Sequence, residues 1–259
     1  MKKIVMDEIP KLDFRVEEAY KTLRTNIQFC GEDIKVVSLT SCVPNEGKSV
    51  VTVQLSKSMA ELGKKVLVID ADIRGSVWGE RYNIQGVVAH VEPDSLEETE
   101  DASRYSRSRI TPIQGLSEYI TGQCQMEDCI YKSNIEGLDM ILTGRSAPNP
   151  AELVGSQKFR DMIHTVRERY DYVFIDCPPL GGIIDAAIIA SICDGAVLVI
   201  ESEAISYKLV QKVKKQLDTS KCKILGAVLN KVDLGKSQAY YKNYKKYYND
   251  YYGEEIKKR

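Results

Sequence analysis

The sequence predicts an α/β fold: a parallel β-sheet with helices on both faces. Three observations carry it. Short β-branched runs alternate along the chain with longer stretches of helical periodicity. The strand-like runs are apolar throughout rather than alternating, the pattern of strands buried on both faces. The first of them leads through a loop ending Gly47-Lys48-Ser49 straight into a helix. A sheet covered on both sides by crossover helices accounts for all three.

Taken in order, Val16–Phe29 places Ala19, Leu23 and Ile27 four residues apart, an amphipathic helix. Lys35–Leu39 reads as a strand, followed by a helix over about Lys48–Leu62. Val66–Asp70 and Leu138–Leu142 are the next strands. Ser156–Arg169 is helical, Tyr172–Asp176 and Ala196–Ile200 are strands, Ser206–Leu217 is helical and Ile224–Leu229 is the last strand. Two segments stand apart. Residues 87–114 join an acidic run (EPDSLEETED) to a basic one (RYSRSR) with little apolar periodicity, and read as a surface insertion. Residues 234–259 have almost no aliphatic side chains and read as a flexible tail. The expected division is a domain at 1–233 carrying that insertion, then the tail.

Composition narrows the function classes. The 259 residues carry 36 Lys+Arg against 37 Asp+Glu, a formal charge of −1, which gives no general reason to expect nucleic-acid binding. No apolar run approaches the ~18–20 residues that span a bilayer, and Asp7 and Glu8 interrupt the start before any run of signal-peptide length. Seven cysteines, an odd number without a C-x-x-C pair, indicate cytosolic thiols; with only two histidines a zinc site is not expected. Tyrosine is the anomaly. There are 15 Tyr against 4 Phe and 1 Trp, and seven of the 15 lie between Tyr240 and Tyr252.

The loop Thr40–Ser49 (TSCVPNEGKS) is the first chemical signal. Backbone N–H groups of such a loop, at a helix N-terminus, bind phosphate oxygens because unpaired donors and the helix dipole converge there. Pro44, Asn45, Glu46, Gly47, Lys48, Ser49 and Val50 are therefore the expected nucleotide-binding residues. Gly47 permits close backbone approach, Lys48 reaches the β- and γ-phosphates, and the Ser49 hydroxyl ligates Mg²⁺. The full G-x-x-x-x-G-K-[ST] pattern wants Gly where Cys42 stands. A Gly-Lys-Ser triplet also occurs as an ordinary helix start, but two further strand ends weigh against that reading. Val66–Asp70 runs into Asp70-Ala71-Asp72, and Tyr172–Asp176 ends in an aspartate. Carboxylates at the C-terminal ends of parallel strands face the crevice where open α/β sheets bind ligands. Mg²⁺ needs only one or two of them beside phosphates and waters. The three strand ends together imply a Mg-nucleotide site.

These residues resemble the bacterial tyrosine kinases of capsule and exopolysaccharide assembly, in the form of the Gram-positive cytoplasmic kinase subunit, which implies a P-loop NTPase-like sheet. The marks are the Walker A run Ser41–Ser49, the acidic motif VLVIDADIR (66–74), the Walker B strand FIDCPP (174–179), GRSAPNPAEL (144–153) and the tyrosine cluster. The resemblance covers nearly the whole chain apart from about Val88–Pro112. It implies that Lys48 stabilises the transferring phosphoryl group, and that Ser49 binds Mg²⁺. Of Asp70 and Asp72 it implies that one assists the metal and one, Asp70 by preference, helps deprotonate the acceptor tyrosine. Asp176 would hold the metal or its bound water, and Asn230 would contact the base. It further implies ATP and Mg²⁺ as cofactors, phosphoacceptors at Tyr240, Tyr241, Tyr244, Tyr247, Tyr248, Tyr251 and Tyr252, and regulation of polysaccharide synthesis. The implied partners are a membrane-embedded polysaccharide chain-length regulator as activator, a phosphotyrosine phosphatase and further copies of the chain. The cytoplasmic kinase would then be recruited to the inner face of the membrane. The family's early helix carries Glu-x-x-Arg-x-x-Arg in subunit contacts. Here it reads Glu18-x-x-Lys21-x-x-Arg24, where Lys keeps the charge and loses the bidentate fork.

The tail, YYKNYKKYYNDYY, shows no periodicity that would pack it, and stacking on single-stranded nucleic acid is its weaker reading in a neutral chain. As a kinase substrate it becomes a charge switch, each phosphate adding roughly −1.5 to −2. A non-kinase ATPase switch of the division-site or partition (MinD/ParA) type is the alternative. Such proteins carry a second phosphate-loop lysine where Val43 stands here. A catalytically idle scaffold modified by another kinase is the third reading.

Overall fold

The computed structural model describes residues 2–7, 9–84 and 113–233. Nearly all of the expected insertion and the whole expected tail, including its seven tyrosines, lie outside the described residues. Ile113 and Gln114, at the end of the expected insertion, are described: Gln114 N–H donates to the Tyr131 hydroxyl at 3.0 Å, which donates back to the Gln114 carbonyl at 2.8 Å.

The elements follow in chain order as β1 (Lys2–Lys3), α1 (Phe14–Phe29), β2 (Val36–Ser41), α2 (Lys48–Ala60), β3 (Val66–Asp70), α3 (Trp78–Arg81), α4 (Leu116–Ile120) and α5 (Met126–Cys129). Then come β4 (Ile130–Lys132), β5 (Leu138–Ile141), α6 (Pro150–Val154), α7 (Gln157–Arg169), β6 (Tyr172–Asp176), α8 (Asp185–Ala190), β7 (Gly195–Glu201), α9 (Tyr207–Thr219) and β8 (Ile224–Asn230). They form one sheet of eight strands in the order β1-β4-β5-β3-β6-β2-β7-β8. The sheet departs from the wholly parallel one expected at a single pairing, β4 against β5, which is antiparallel. β1 and β4 are too short for a periodic signal, and two lysines do not announce a strand.

The continuous apolar strands split by side-chain parity into two cores. In β3, Leu67 and Ile69 face one core while Val66 and Val68 face the other. In β6, Val173 and Ile175 join the first and Phe174 the second. The helices α6–α9 cover the first face, whereas α2 and Trp78 of α3 cover the second. Period-two alternation combined with burial on both sides is why no polar face was visible in these runs.

Helix starts follow capping chemistry where the sequence supplies it. The Asp13 carboxylate accepts from the N–H groups of Arg15 and Val16 at 2.9 and 3.0 Å, starting α1 two residues before the expected Val16. Ser156 and Ser206 cap α7 and α9 in the same way. α2 has no side-chain cap and begins at Gly47, in the left-handed region with φ of 88°. Its first-turn N–H groups are thus left to face the crevice at the C-terminal edge of the sheet. Among the described residues no helix is long and apolar enough to cross a membrane, and all seven cysteines are free thiols.

Candidate active site

β2, β3, β6 and β8 end at the same edge, and their last residues build the site. β2 delivers the phosphate loop. Asn45 and Gly47 both have positive φ, 68° and 88°, which winds the backbone around a concave turn. A side chain at Gly47 would overlap the Asn230 amide nitrogen. The loop is braced from inside by Glu46, whose fully buried carboxylate accepts from Val43 N–H at 2.7 Å and Glu201 N–H at 3.0 Å. It is braced from outside by the end of β8. Asn230 Nδ2 donates to the Glu46 carbonyl at 2.9 Å, and Lys231 Nζ donates to the Asn45 carbonyl at 2.6 Å and to Glu201 Oε2 at 2.8 Å. Asn230, the residue expected at the base, thus gives one amide N–H to the loop. The chain after β6 lies alongside: Leu180 and Gly181 N–H donate to the Ser41 and Cys42 carbonyls at 2.8 and 3.0 Å.

The Lys48 ammonium reaches into this crevice, 3.1 Å from Asp72 Oδ2, 3.7 Å from Asp176 Oδ1 and 3.4 Å from Ser49 Oγ. Burial alone would lower its pKa, but the carboxylates of Asp176 and Asp72 outweigh that and hold it above the ordinary value. The lysine is therefore a fixed positive charge.

Asp70 and Asp176 are direct register partners across β3 and β6, and both are buried. Burial, then the charge of Asp176, raises Asp70 to about 7. Its oxygens are taken by the Ser76 hydroxyl and by Asp72 N–H at 3.2 Å, and its carbonyl by the Thr143 hydroxyl at 3.0 Å. Asp176 is raised too, by burial against the opposing pull of Lys48, the Ser49 hydroxyl and Trp78. One of its oxygens accepts from Trp78 Nε1 at 2.8 Å, while the other, Oδ1, is buried with no hydrogen-bond partner. Such an orphaned carboxylate oxygen beside a hydroxyl is a donor set that suits a hard cation. Ser49 and Asp176 fit magnesium on that ground, with Asp72 nearby.

The structure therefore brings together Lys48, Ser49, Asp70, Asp72, Asp176 and Asn230 around the phosphate loop. Pro44 and Asn45 lie exposed on the loop's outer turn. Glu18, Lys21 and Arg24 are elsewhere, on α1: Glu18 pairs with Lys21 at 2.6 Å, and the Arg24 guanidinium donates to the Ser58 carbonyl of α2 at 2.8 Å. Sequence reasoning missed Glu46 as a brace, the bidentate Arg74–Asp185 pair (2.7 and 3.1 Å), Ser76 and Trp78. The single tryptophan, six residues after the second acid of Asp-x-Asp, was a visible signal for the last of these.

Comparison with known proteins bears on what this geometry serves. A family model described as an AAA domain matches residues 34–227. The tyrosine-protein kinase CpsD of Streptococcus agalactiae is 36% identical over 233 residues, covering 90% of this chain and 90% of its own length. The tyrosine-protein kinase YwqD of Bacillus subtilis is 34% identical over 225 residues, 86% of this chain and 84% of its own. Among solved structures, the chimerical protein CapA2B2 matches with a TM-score of 0.71 at 26% identity, over 88% of this chain and 94% of that one. The septum site-determining protein MinD of Pyrococcus horikoshii, complexed with Mg-ADP, matches with a TM-score of 0.56 at 23% identity, over 77% and 71%. That likeness is one of fold. With identity above one third across more than four fifths of each chain, and the phosphate loop gathered with Asp70, Asp72 and Asp176 in one crevice, the chain belongs to the bacterial tyrosine-protein kinase family of CpsD and YwqD.

Proposed function

We propose that the protein transfers the γ-phosphoryl group of ATP to tyrosines of its own tail, Tyr240 to Tyr252, on a neighbouring copy, and that this regulates capsular or exopolysaccharide synthesis. The observation that carries the reading is the placement of the Lys48 ammonium between Asp72 and Asp176, with Asp70 buried beside them. Phosphoryl transfer needs positioning and charge neutralisation more than covalent chemistry. Lys48 supplies a fixed positive charge where negative charge gathers on the phosphoryl oxygens. The backbone of residues 44–49 would hold the phosphates by N–H groups that α2 leaves unpaired. Ser49 and Asp176 would hold magnesium, which when bound neutralises phosphate charge. The acceptor phenol, with a pKa near 10, needs a base. Asp70, raised to about 7, is matched to take that proton near neutral pH.

The activator in this proposal is a membrane-embedded chain-length regulator, which would recruit the kinase to the inner face of the membrane, with a phosphotyrosine phosphatase resetting the tail. Copies associate so that one tail reaches the next site. With Arg24 tied in part to α2, Glu18 and Lys21 are the freer members of the expected contact.

Incubating the purified chain with ATP, Mg²⁺ and the activator's cytoplasmic segment, beside Lys48→Met, tests the reading by phosphotyrosine detection. Signal in the parent alone is expected. Hydrolysis without phosphotyrosine would instead indicate an ATPase switch, and neither signal an idle scaffold.

A further inference from the structure

Asp70 and Asp176 present two carboxylates side by side in a buried register, an arrangement that persists only if donors hold them apart. One short segment supplies a donor to each. The Ser76 hydroxyl donates to Asp70 Oδ2, and the Trp78 indole N–H donates to Asp176 Oδ2 at 2.8 Å. The Trp78 backbone N–H in turn donates to Ser76 Oγ at 3.3 Å, so the two residues act as one bracket. The indole is itself held. It is only 1% exposed, its ring meets Tyr82 edge-on at 6.1 Å between centroids, and the Tyr82 hydroxyl donates to the Ser49 carbonyl at 3.4 Å.

An indole has one polar atom, and that atom only donates. With Oδ2 of Asp176 tied to it, rotation of the carboxylate is blocked and Oδ1 alone faces the Lys48 ammonium, 3.7 Å away. Oδ1 is also the oxygen left without a hydrogen-bond partner. We propose that Trp78 is a positioning residue for phosphoryl transfer: its indole N–H fixes Asp176 so that Oδ1 is presented to the Ser49–Lys48 side, where magnesium and nucleotide phosphates dock. The inference rests on the nucleotide-site reading above and adds to it a residue that never meets the substrate. Bulk alone would explain the burial of Trp78. It would not explain why its one donor ends on the strand-end carboxylate.

Trp78→Phe keeps most of the apolar contact and deletes the N–H. Because the chain has a single tryptophan, growth on the benzothiophene analogue of tryptophan deletes the same N–H at this site alone while keeping the bicyclic shape. Both forms are compared with the parent full-length chain for Mg²⁺-dependent binding of a fluorescent ADP analogue, for kcat and KM of autophosphorylation, and for Tm. Outer partners of metal ligands commonly matter by 10–100-fold in metal affinity or activity. The Mg²⁺ concentration for half-saturation is therefore expected to rise about tenfold or more in both forms. kcat should fall by a comparable factor and KM for ATP by less than twofold in either direction. In the parent, Trp78 emission should change on adding Mg·ADP and not on adding ADP in EDTA. A Mg²⁺ requirement within twofold of the parent in both forms, whatever happens to Tm, overturns the proposal and leaves Trp78 a packing residue. A parent chain that binds no ADP analogue with or without Mg²⁺ overturns the nucleotide-site reading and this inference together.

Discussion

At the scale of single residues, the site turns on how a buried carboxylate meets its neighbours. Asp70 is raised to about 7, first by desolvation and then by Asp176. A carboxyl raised above its unfolded value of about 3.9 binds its proton more tightly in the native state. The native state is then favoured at acid pH, and stability is lost as pH rises from about 4 to about 7. Asp70→Asn has no such loss. In EDTA without nucleotide, it is expected to melt above the parent at pH 8, by roughly 2–4 °C for each kcal/mol relieved, and the gap should narrow at pH 5. An Asn variant that melts lower at pH 8 would contradict the burial argument. In the proposed mechanism the same proton governs activity, so autophosphorylation at saturating ATP should rise through about pH 7. In Asp70→Asn it should fall about 10²–10⁴-fold, the usual weight of a positioned base.

At the scale of elements, two joints fix the segments that surround the site. The Arg74 guanidinium, following β3, forms a bidentate pair with Asp185 at the start of α8, and Asp185 is buried while Arg74 is half open to water. Removing the arginine strands a buried acceptor. Arg74→Ala should therefore cost about 1–3 kcal/mol in urea unfolding, and Asp185→Asn less, since the arginine it frees can turn to solvent. The second joint is Gly47, where positive φ and contact with Asn230 exclude a side chain. Gly47→Ala is expected to weaken ADP binding by more than tenfold in calorimetry while the fold, read by circular dichroism, persists. These joints mark the limit of what could be read from sequence. Val66–Asp70 and Tyr172–Asp176 were legible to the residue because their β-branched runs are bounded by polar turns. The short elements β4, α4, α5 and α6 were not, being too brief for a period and fixed instead by tertiary contacts such as the Glu118 carboxylate accepting from Gly115 and Arg145 N–H at 2.8 and 3.1 Å. Likewise Lys48, Ser49 and the aspartates carry chemistry in their identity, whereas Glu46, Ser76 and Trp78 acquire theirs from which atom they meet.

At the scale of the whole molecule, a formal charge of −1 describes the chain before modification. Full phosphorylation of the seven tail tyrosines would add on the order of −10 to −14, enough to alter how copies associate. Lys231, shortly before the expected tail, is joined to the phosphate loop through the Asn45 carbonyl, at the edge of the sheet where the nucleotide would bind. The tail serves a neighbouring copy in the proposed mechanism. The decisive measurement mixes two forms of the full-length chain, one carrying Lys48→Met with its tail intact, the other with all seven tail tyrosines changed to Phe and its site intact. With ATP, Mg²⁺ and the activator segment, each alone should give little tail phosphotyrosine, and the mixture should place it on the Lys48→Met chain. Phosphotyrosine on the Lys48→Met chain without its partner, or none in a mixture whose parent protein is active, would contradict transfer by this site to a neighbouring tail.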